Sequence, residues 1–422
     1  MKIALTNEYF LPFAAGGAEW SLLYLAKTLR QQGHEPIIIT PNYGAETVEI
    51  IEGVPVYRFP FPGRMKPGQK VMRFRWLANP LFYFWSAWCI YQLAKKARVE
   101  VLHAQNKYML LGSWLAGRFL KIPVLLTIRD TSLLCPSGMC LHRYDELPNG
   151  CTFRHYYNEC MPEYVARYLA PRNWLHRTKA YLTMSWLWLD AALRRLFLRR
   201  VDGIIGVSQG ILDVYGRWGV DLQSLARVIY NIPPNHPDIS NEEAAGLKRD
   251  LEIEDKQTVL FVGQATPGKG VPDLLIAADE VIEKLPSTQF LFVGKSNLNT
   301  DKPYIHTLGV LPNEKVLQLY HIADTVVVPS VCQDALSRVV LEAMSSGTPV
   351  VGTAVGGTPE MIIDGQTGRL VSRHSPDQLA QALVQTLNQS DDRIRWGQAA
   401  QARIKTIFDP NKTIETLITF SR

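Results

Sequence analysis

The chain has no apolar run long enough to cross a bilayer as a helix. Its most apolar window, residues 81–93 (LFYFWSAWCIYQL), is 13 residues long. A span needs about 20. Residues 186–198 are interrupted by Asp190, Arg194 and Arg195. The amino terminus, MKIALTNEYFLPF, carries Glu8 and lacks a long apolar core, so it reads as a strand and not as a secretory signal. A cytoplasmic protein is the expectation. Neither glycine-rich loop reads G-x-G-x-x-G with an acid about 20 residues further on, which disfavours a dehydrogenase. No nucleic-acid-binding module is recognised, and nucleic acid is not an expected partner. Cysteine is scarce, at 6 in 422 residues. Cys135, Cys140, Cys151 and Cys160 follow the spacing C-x4-C-x10-C-x8-C, which is not that of a common zinc finger. Stable disulfides do not suit a cytoplasmic setting. Free thiols are therefore expected, with a zinc site as the alternative.

What is present is length enough for two or three cores, with 47% of residues apolar. The net charge of +6 hides an asymmetry: residues 1–200 carry 26 Lys and Arg against 13 Asp and Glu, and the remainder 19 against 26. A basic half suits an anionic surface.

Two segments begin alike. Residues 2–6 read as a strand, Gly16-Gly17 as a loop, and residues 18–30 as a helix with Leu22, Leu25, Ala26 and Leu29 at helical spacing, before the strand 34–40. The same order recurs at 258–263 (TVLFVG), the loop QATPGKG, a helix from about 271 to 284, and the strand 289–295. This predicts an α/β protein of two Rossmann-like doubly wound domains, facing each other across a cleft, with ligands at the carboxyl ends of the strands. Pro and Asn cluster at 231–240, giving expected boundaries of 1–235, 236–390 and a pair of final helices at 391–422 that return to the first domain.

Residues 333–344 (QDALSRVVLEAM) hold two acids eight positions apart. Residues 325–328 read as a buried strand, and Ser337 is a plausible cap for a helix running from Arg338 to about residue 346. Asp334 then lies in the loop ahead of the helix and Glu342 about one turn inside it. The two acids frame a helix N-terminus, whose N–H groups favour phosphate. Glu342 could accept from ribose hydroxyls and Asp334 from a hexose. On residue types alone, an exposed helix acid and a solvated loop acid serve equally well.

Together with GGAEWSLLYLAKTL (16–29), VLHAQ (101–105), VDGIIGVSQGI (201–211), RVIYNI (227–232), FVGQATPGKGVPDLL (261–275), LFVGKSN (291–297), residues 308–330 and SSGTPVVGTAVGGTPEMIIDGQTGRLV (345–371), this stretch resembles the retaining, two-domain glycosyltransferases of family 4, which have the GT-B fold. The resemblance implies that Glu342 is the second carboxylate of an E-x7-E motif and binds the nucleotide ribose. Asp334 stands in the first position, one methylene shorter. It implies that Lys269 meets the donor diphosphate and that Gly16 and Gly17 approach donor phosphate or acceptor. Gln264 stands where many members have Arg, removing one positive charge. In residues 127–130 (TIRD), Arg129 replaces a usual His before Asp130. Arg129 could bind a carboxylate or phosphate of sugar or acceptor, or form a structural salt bridge. His103 is expected just after the strand 99–102, as a cleft residue or a structural one.

The implied donor site is thus Gly16, Gly17, Gln264, Lys269, Asp334, Ser337, Arg338 and Glu342, with Arg129 and Asp130 toward sugar or acceptor. Asp334, Lys269 and His103 are nearest the chemistry. No metal or cofactor is expected beyond a nucleoside-diphosphate sugar as co-substrate, and the acceptor is a glycan or lipid-linked glycan. Basic, aromatic-rich residues 66–98 and 167–200 read as helices lying in an anionic membrane interface or as core helices with solvated basic faces. A catalytically silent sugar-nucleotide-binding subunit and a sugar-nucleotide epimerase are the rival readings.

Overall fold

The structure is a computed structural model describing residues 1–13, 16–66, 69, 72–138, 150–171, 173–236, 239–295, 298 and 301–422. It divides into two units: Met1–Ile232 with Pro410–Arg422, and Pro233–Asp409.

The first unit is built on eight strands: β1 (Lys2–Thr6), β2 (Glu35–Pro41), β3 (Val48–Ile51), β4 (Val54–Phe59), β5 (Val101–Ala104), β6 (Val124–Ile128), β7 (Gly203–Gly206) and β8 (Ala226–Val228). Their order in the sheet is β3-β4-β2-β1-β5-β6-β7-β8. Only β3 runs antiparallel, to β4. β5, β6 and β7 are buried along their whole length. That is the burial of parallel strands covered on both faces, and it explains their unbroken apolar runs. The sheet order reverses between β1 and β5. The loops after β1, β5 and β6 therefore gather at the switch point, on the carboxyl edge of the sheet.

The second unit has six parallel strands: β9 (Thr258–Val262), β10 (Gln289–Val293), β11 (Ile305–Gly309), β12 (Thr325–Val328), β13 (Val350–Thr353) and β14 (Gly368–Val371). They lie in the order β11-β10-β9-β12-β13-β14. Its switch point falls between β9 and β12, and this places the loop before the helix Val271–Lys284 beside the loop before the helix Arg338–Ser346.

The expectation for residues 391–422 is corrected in part. The helix Ser390–Ile407 belongs to the second unit: Gly397 lies so close to Gly347 that a Cβ on it would meet the Gly347 carbonyl at 2.0 Å. Only the helix Pro410–Phe420 joins the first unit, where Ile414, Leu417 and Ile418 enter the core with Leu22, Leu25 and Leu29.

The two basic, aromatic-rich segments contribute the helices Pro80–Ala97 and Trp174–Leu198, each started by an Asn whose side chain accepts an N–H of the first turn. Each buries one face, and Asp190 and Arg194 pair in that interior with the Tyr83 hydroxyl on Asp190. Each also exposes apolar side chains: Phe84 is 67% exposed, Trp88 57%, Leu182 68% and Leu196 67%. Among the described residues no helix is long and apolar enough to cross a membrane.

Candidate functional site

In the second unit, two glycines bring the sequence-predicted residues together. Gly270 has φ +71°, and a Cβ there would lie 1.7 Å from the carbonyl oxygen of Pro329, just past β12. Only glycine allows that approach. The Val331 and Cys332 N–H groups both donate to the Gly268 carbonyl, at 3.1 and 3.2 Å. From the other side, Gly356 has φ +55°, with its virtual Cβ 1.9 Å from the Asp334 carbonyl, and the Gly357 N–H donates to that carbonyl at 2.9 Å. The Gly356 N–H donates to Gln333 Oε1 at 2.7 Å. The loop carrying Asp334 is thus clamped between two glycine turns.

The clamp sets Lys269 Nζ 2.6 Å from Asp334 Oδ2, both side chains partly exposed. Desolvation opposes the Lys269 charge, but the Asp334 carboxylate and Cys332 together hold the ammonium above its ordinary range. Ser337 occupies the cap position of the helix Arg338–Ser346 without a side-chain hydrogen bond to its first turn. The leading amides of that helix are therefore not capped by its hydroxyl, and the helix end is electropositive. Gln264 is exposed in the loop ahead of Lys269.

Glu342 is 4% exposed and is not a surface acid. Arg338 Nε donates to its Oε1 at 2.5 Å and the Tyr320 hydroxyl to its Oε2 at 2.8 Å. Burial and the carboxylate together push the Tyr320 phenol well above its ordinary range, so it remains a donor. Both Glu342 oxygens are held in place, and each keeps a further lone pair. Arg338 and Glu342 lie one turn apart, which explains how the helix alone delivers the pair.

In the first unit, Gly16 stands at the N-cap of the helix Gly17–Gln31, and its N–H donates to Glu19 Oε2 at 3.0 Å. The pair Gly16-Gly17 opens this helix. Arg129 follows β6 and is held by amides, not by an acid: Nη1 donates to Asn231 Oδ1 at 2.5 Å and Nη2 to Gln105 Oε1 at 2.7 Å. Among the described residues Arg129 forms no salt bridge to Asp130 or another acid, the structural alternative for this guanidinium. Asp130 accepts instead from the Ser132 N–H at 2.9 Å and from the Ser132 hydroxyl. Desolvation lowers the Arg129 pKa to about 10, so the guanidinium stays charged at neutral pH with only neutral hydrogen-bond partners.

The expectation for His103 is corrected. It lies inside β5 rather than after it, is 1% exposed, and bonds Thr127 Oγ1 of β6 at 2.7 Å through Nε2. Burial, with Arg129 adding to it, lowers its pKa to about 3, so the ring is neutral.

Three residues escape the sequence reading. Glu8, past the end of β1, is 4% exposed, and burial pushes its carboxyl up to about 8 against the pull of Lys107. An acid inside an otherwise apolar N-terminal run was the available signal. Tyr320 and Asn231 leave none, since their partners lie 22 and 102 residues away. Of the clustered cysteines, Cys135 and Cys151 are free thiols, Cys160 is buried, and Cys140 lies outside the described residues. Among the described residues no three His, Cys, Asp or Glu side chains converge as metal ligands.

Residues 15–232 match the family model for Glycosyltransferase Family 4, and residues 245–403 that for Glycosyl transferases group 1. Spore coat protein SA of Bacillus subtilis (strain 168) is 30% identical over 203 residues, 43% of this chain and 54% of that protein, so the match spans about half the relative's length. An uncharacterized glycosyltransferase of Methanocaldococcus jannaschii is 25% identical over 408 residues, 92% of this chain and 89% of that protein. Among solved structures, Anabaena HepE in complex with UDP-glucose superposes with a TM-score of 0.66 at 20% identity, covering 99% of this chain and 100% of that one. The fold is GT-B, with two Rossmann-like domains.

Proposed function

The chain belongs to glycosyltransferase family 4, and from that premise we propose that it moves a sugar, with retention of anomeric configuration, from a nucleoside-diphosphate sugar to a glycan or lipid-linked acceptor. The product would be a surface polysaccharide or glycolipid. The observation that carries this reading is the Lys269–Asp334 pair, clamped by Gly270 and Gly356 beside an electropositive helix end.

Lys269 and the helix amides stabilise the departing diphosphate, which is the charge that grows in the transition state. Asp334 orients the ammonium and shares the hexose hydroxyls. Glu342, fixed by Arg338 and Tyr320, accepts from the ribose with its remaining lone pairs. The acceptor hydroxyl attacks from the leaving-group side and passes its proton to the departing phosphate oxygen. Neither acid acts as a base, and Lys269 with the helix end fills the place of a divalent ion. Arg129, charged and held only by amides, meets an anionic group of sugar or acceptor. The exposed apolar faces of the helices Pro80–Ala97 and Trp174–Leu198 hold the protein on an anionic membrane surface.

The test is a thermal-shift panel of UDP-, GDP-, ADP- and TDP-sugars without added metal, on the wild type and Lys269→Ala, followed by assay of donor turnover. A ligand at a hundredfold excess over its Kd stabilises by about 2.7 kcal/mol. One nucleotide should raise Tm, Lys269→Ala should abolish the shift, and turnover should accompany it. No shift with any donor would sink the Lys269 and Glu342 assignments. Lys269 is already neutralised by Asp334, which favours a second reading, a silent sugar-nucleotide-binding subunit. A shift without turnover would select it.

A further inference from the structure

We propose that the first unit carries a preformed site for a single-chain lipid phosphate, its hydrocarbon held among Pro60, Phe61, Trp76, Leu81, Phe82 and Trp85 and its phosphate met by Arg64. The cavity between these side chains measures about 530 Å³, within the range of small-molecule sites. Its walls are nearly all carbon. The Asn79 side-chain oxygen is engaged by the Leu81 N–H as a helix cap, at 3.0 Å. The Trp85 indole N–H donates to the Pro60 carbonyl at 2.8 Å. Pro60 and Pro62 supply no N–H. A peptide laid along this wall would leave backbone groups unbonded, whereas a hydrocarbon needs no such partners.

The aromatic walls pack against one another. Phe61 stands edge-on to Trp76 at 6.2 Å, to Phe82 at 5.8 Å and to Tyr43 at 5.1 Å, arrangements favoured by the ring quadrupole. A second, polar cavity of about 620 Å³ shares Pro60 and Phe61 and is lined by Asn42, Arg58 and Arg64. Arg58 is engaged by Glu49 and by the Glu46 and Leu11 carbonyls. Arg64 is exposed, and among the described residues it makes no ion pair. An apolar chamber that shares the Pro60–Phe61 wall with a cavity lined by an exposed guanidinium complements a hydrocarbon ending in an anion. On the outer side, the helix that supplies Leu81 and Trp85 also exposes Phe84 and Trp88, so a longer chain leaves the cavity along an apolar face.

Pro60 follows the carboxyl end of β4, Tyr43 that of β2 and Tyr9 that of β1, with Tyr9 and Tyr43 rings 5.7 Å apart. Pro60 therefore lies on the same edge of the sheet as the loops that carry Glu8 and Arg129. Calling the occupant the anchor of a lipid-linked acceptor rests on the transferase reading; the binding itself does not.

The experiment titrates the full chain with dodecyl phosphate below its micelle-forming concentration and follows tryptophan emission, with dodecanol and inorganic phosphate as comparison probes. No sugar nucleotide is present, so the outcome is independent of the donor panel. The expected result is saturable binding of dodecyl phosphate and weak binding of inorganic phosphate. Arg64→Gln should weaken dodecyl phosphate about tenfold, as befits one charge-assisted contact, without changing dodecanol. Leu81→Glu, at a position 76% exposed, should weaken both chain-bearing probes and leave Tm unchanged. Absence of saturable binding, or affinity untouched by Leu81→Glu, would overturn the proposal. So would inorganic phosphate binding as tightly as dodecyl phosphate.

Discussion

Glu8 is buried past the end of β1, and its Oε2 has no hydrogen-bond partner among the described residues. Burial, reinforced by Glu19 and Asp130 against the pull of Lys107, pushes its pKa from 4.5 to about 8. Because the native value lies above the unfolded one, the folded chain keeps a proton that the unfolded chain releases. Stability is then full below pH 4.5 and is lost progressively as pH rises to about 8. Glu8→Gln should flatten that decline and make the protein more stable than wild type at pH 8, by up to a few kcal/mol. Tm measured across pH 5–9 for both chains checks it, and parallel curves would refute the assignment. At Glu342, removing one member of a buried ion pair strands the other. Glu342→Ala should cost about 3 kcal/mol and Tyr320→Phe about 1 kcal/mol in denaturant unfolding. Glu342 was placed at the site by the resemblance, since residue types alone left an exposed helix acid equally open, and its burial came from the structure. Tyr320 and the amides holding Arg129 were not legible, since they are brought in by the register of distant strands.

The glycines sort themselves by what surrounds them. Gly270→Ala would drive a methyl into the Pro329 carbonyl at a positive φ, displacing both loops that meet there. We expect a loss of about 3 kcal/mol or more, together with loss of any donor-induced thermal shift. Gly216, in the helix Gln209–Arg217, has nothing within 4 Å of its virtual Cβ. Gly216→Ala should therefore stabilise by about 0.5–1 kcal/mol. Equal effects of the two changes on unfolding would contradict the clamp. The strands and principal helices of both switch points could be read from apolar runs and helical spacing. The β3–β4 hairpin was passed over although Glu52 and Gly53, both at positive φ, form its two-residue turn. The inward-facing glycines are invisible to any pattern of hydrophobicity, because their role is the absence of a side chain opposite a particular carbonyl.

The repeated strand-loop-helix start announced two Rossmann-like domains, and the Pro- and Asn-rich stretch lay where the first unit gives way to the second, at Ile232 and Pro233. The return of the chain to the first unit was expected from residue 391, whereas only residues 410–422 make it. Deleting residues 410–422 removes Ile414 and Leu417, at 0% and 1% exposure, from the first unit's core. It also takes away Phe420, whose ring lies within 2.8 Å of a virtual Cβ on Gly203. The first unit should lose several kcal/mol, seen as an early transition in a thermal scan. The second unit, with Lys269 and Asp334 intact, should keep its own. A single undisturbed transition would mean that the last helix is dispensable.

That return also orders events in time. A ribosome issues the chain from its amino end, and domains close as they emerge. Here the second unit, Pro233–Asp409, is complete before Ile414 and Leu417 have been made. The first unit, begun earliest, waits with an open core until residues 410–422 leave the tunnel. The helix Pro410–Phe420 thus serves as a seal that is set only after the second unit has been made.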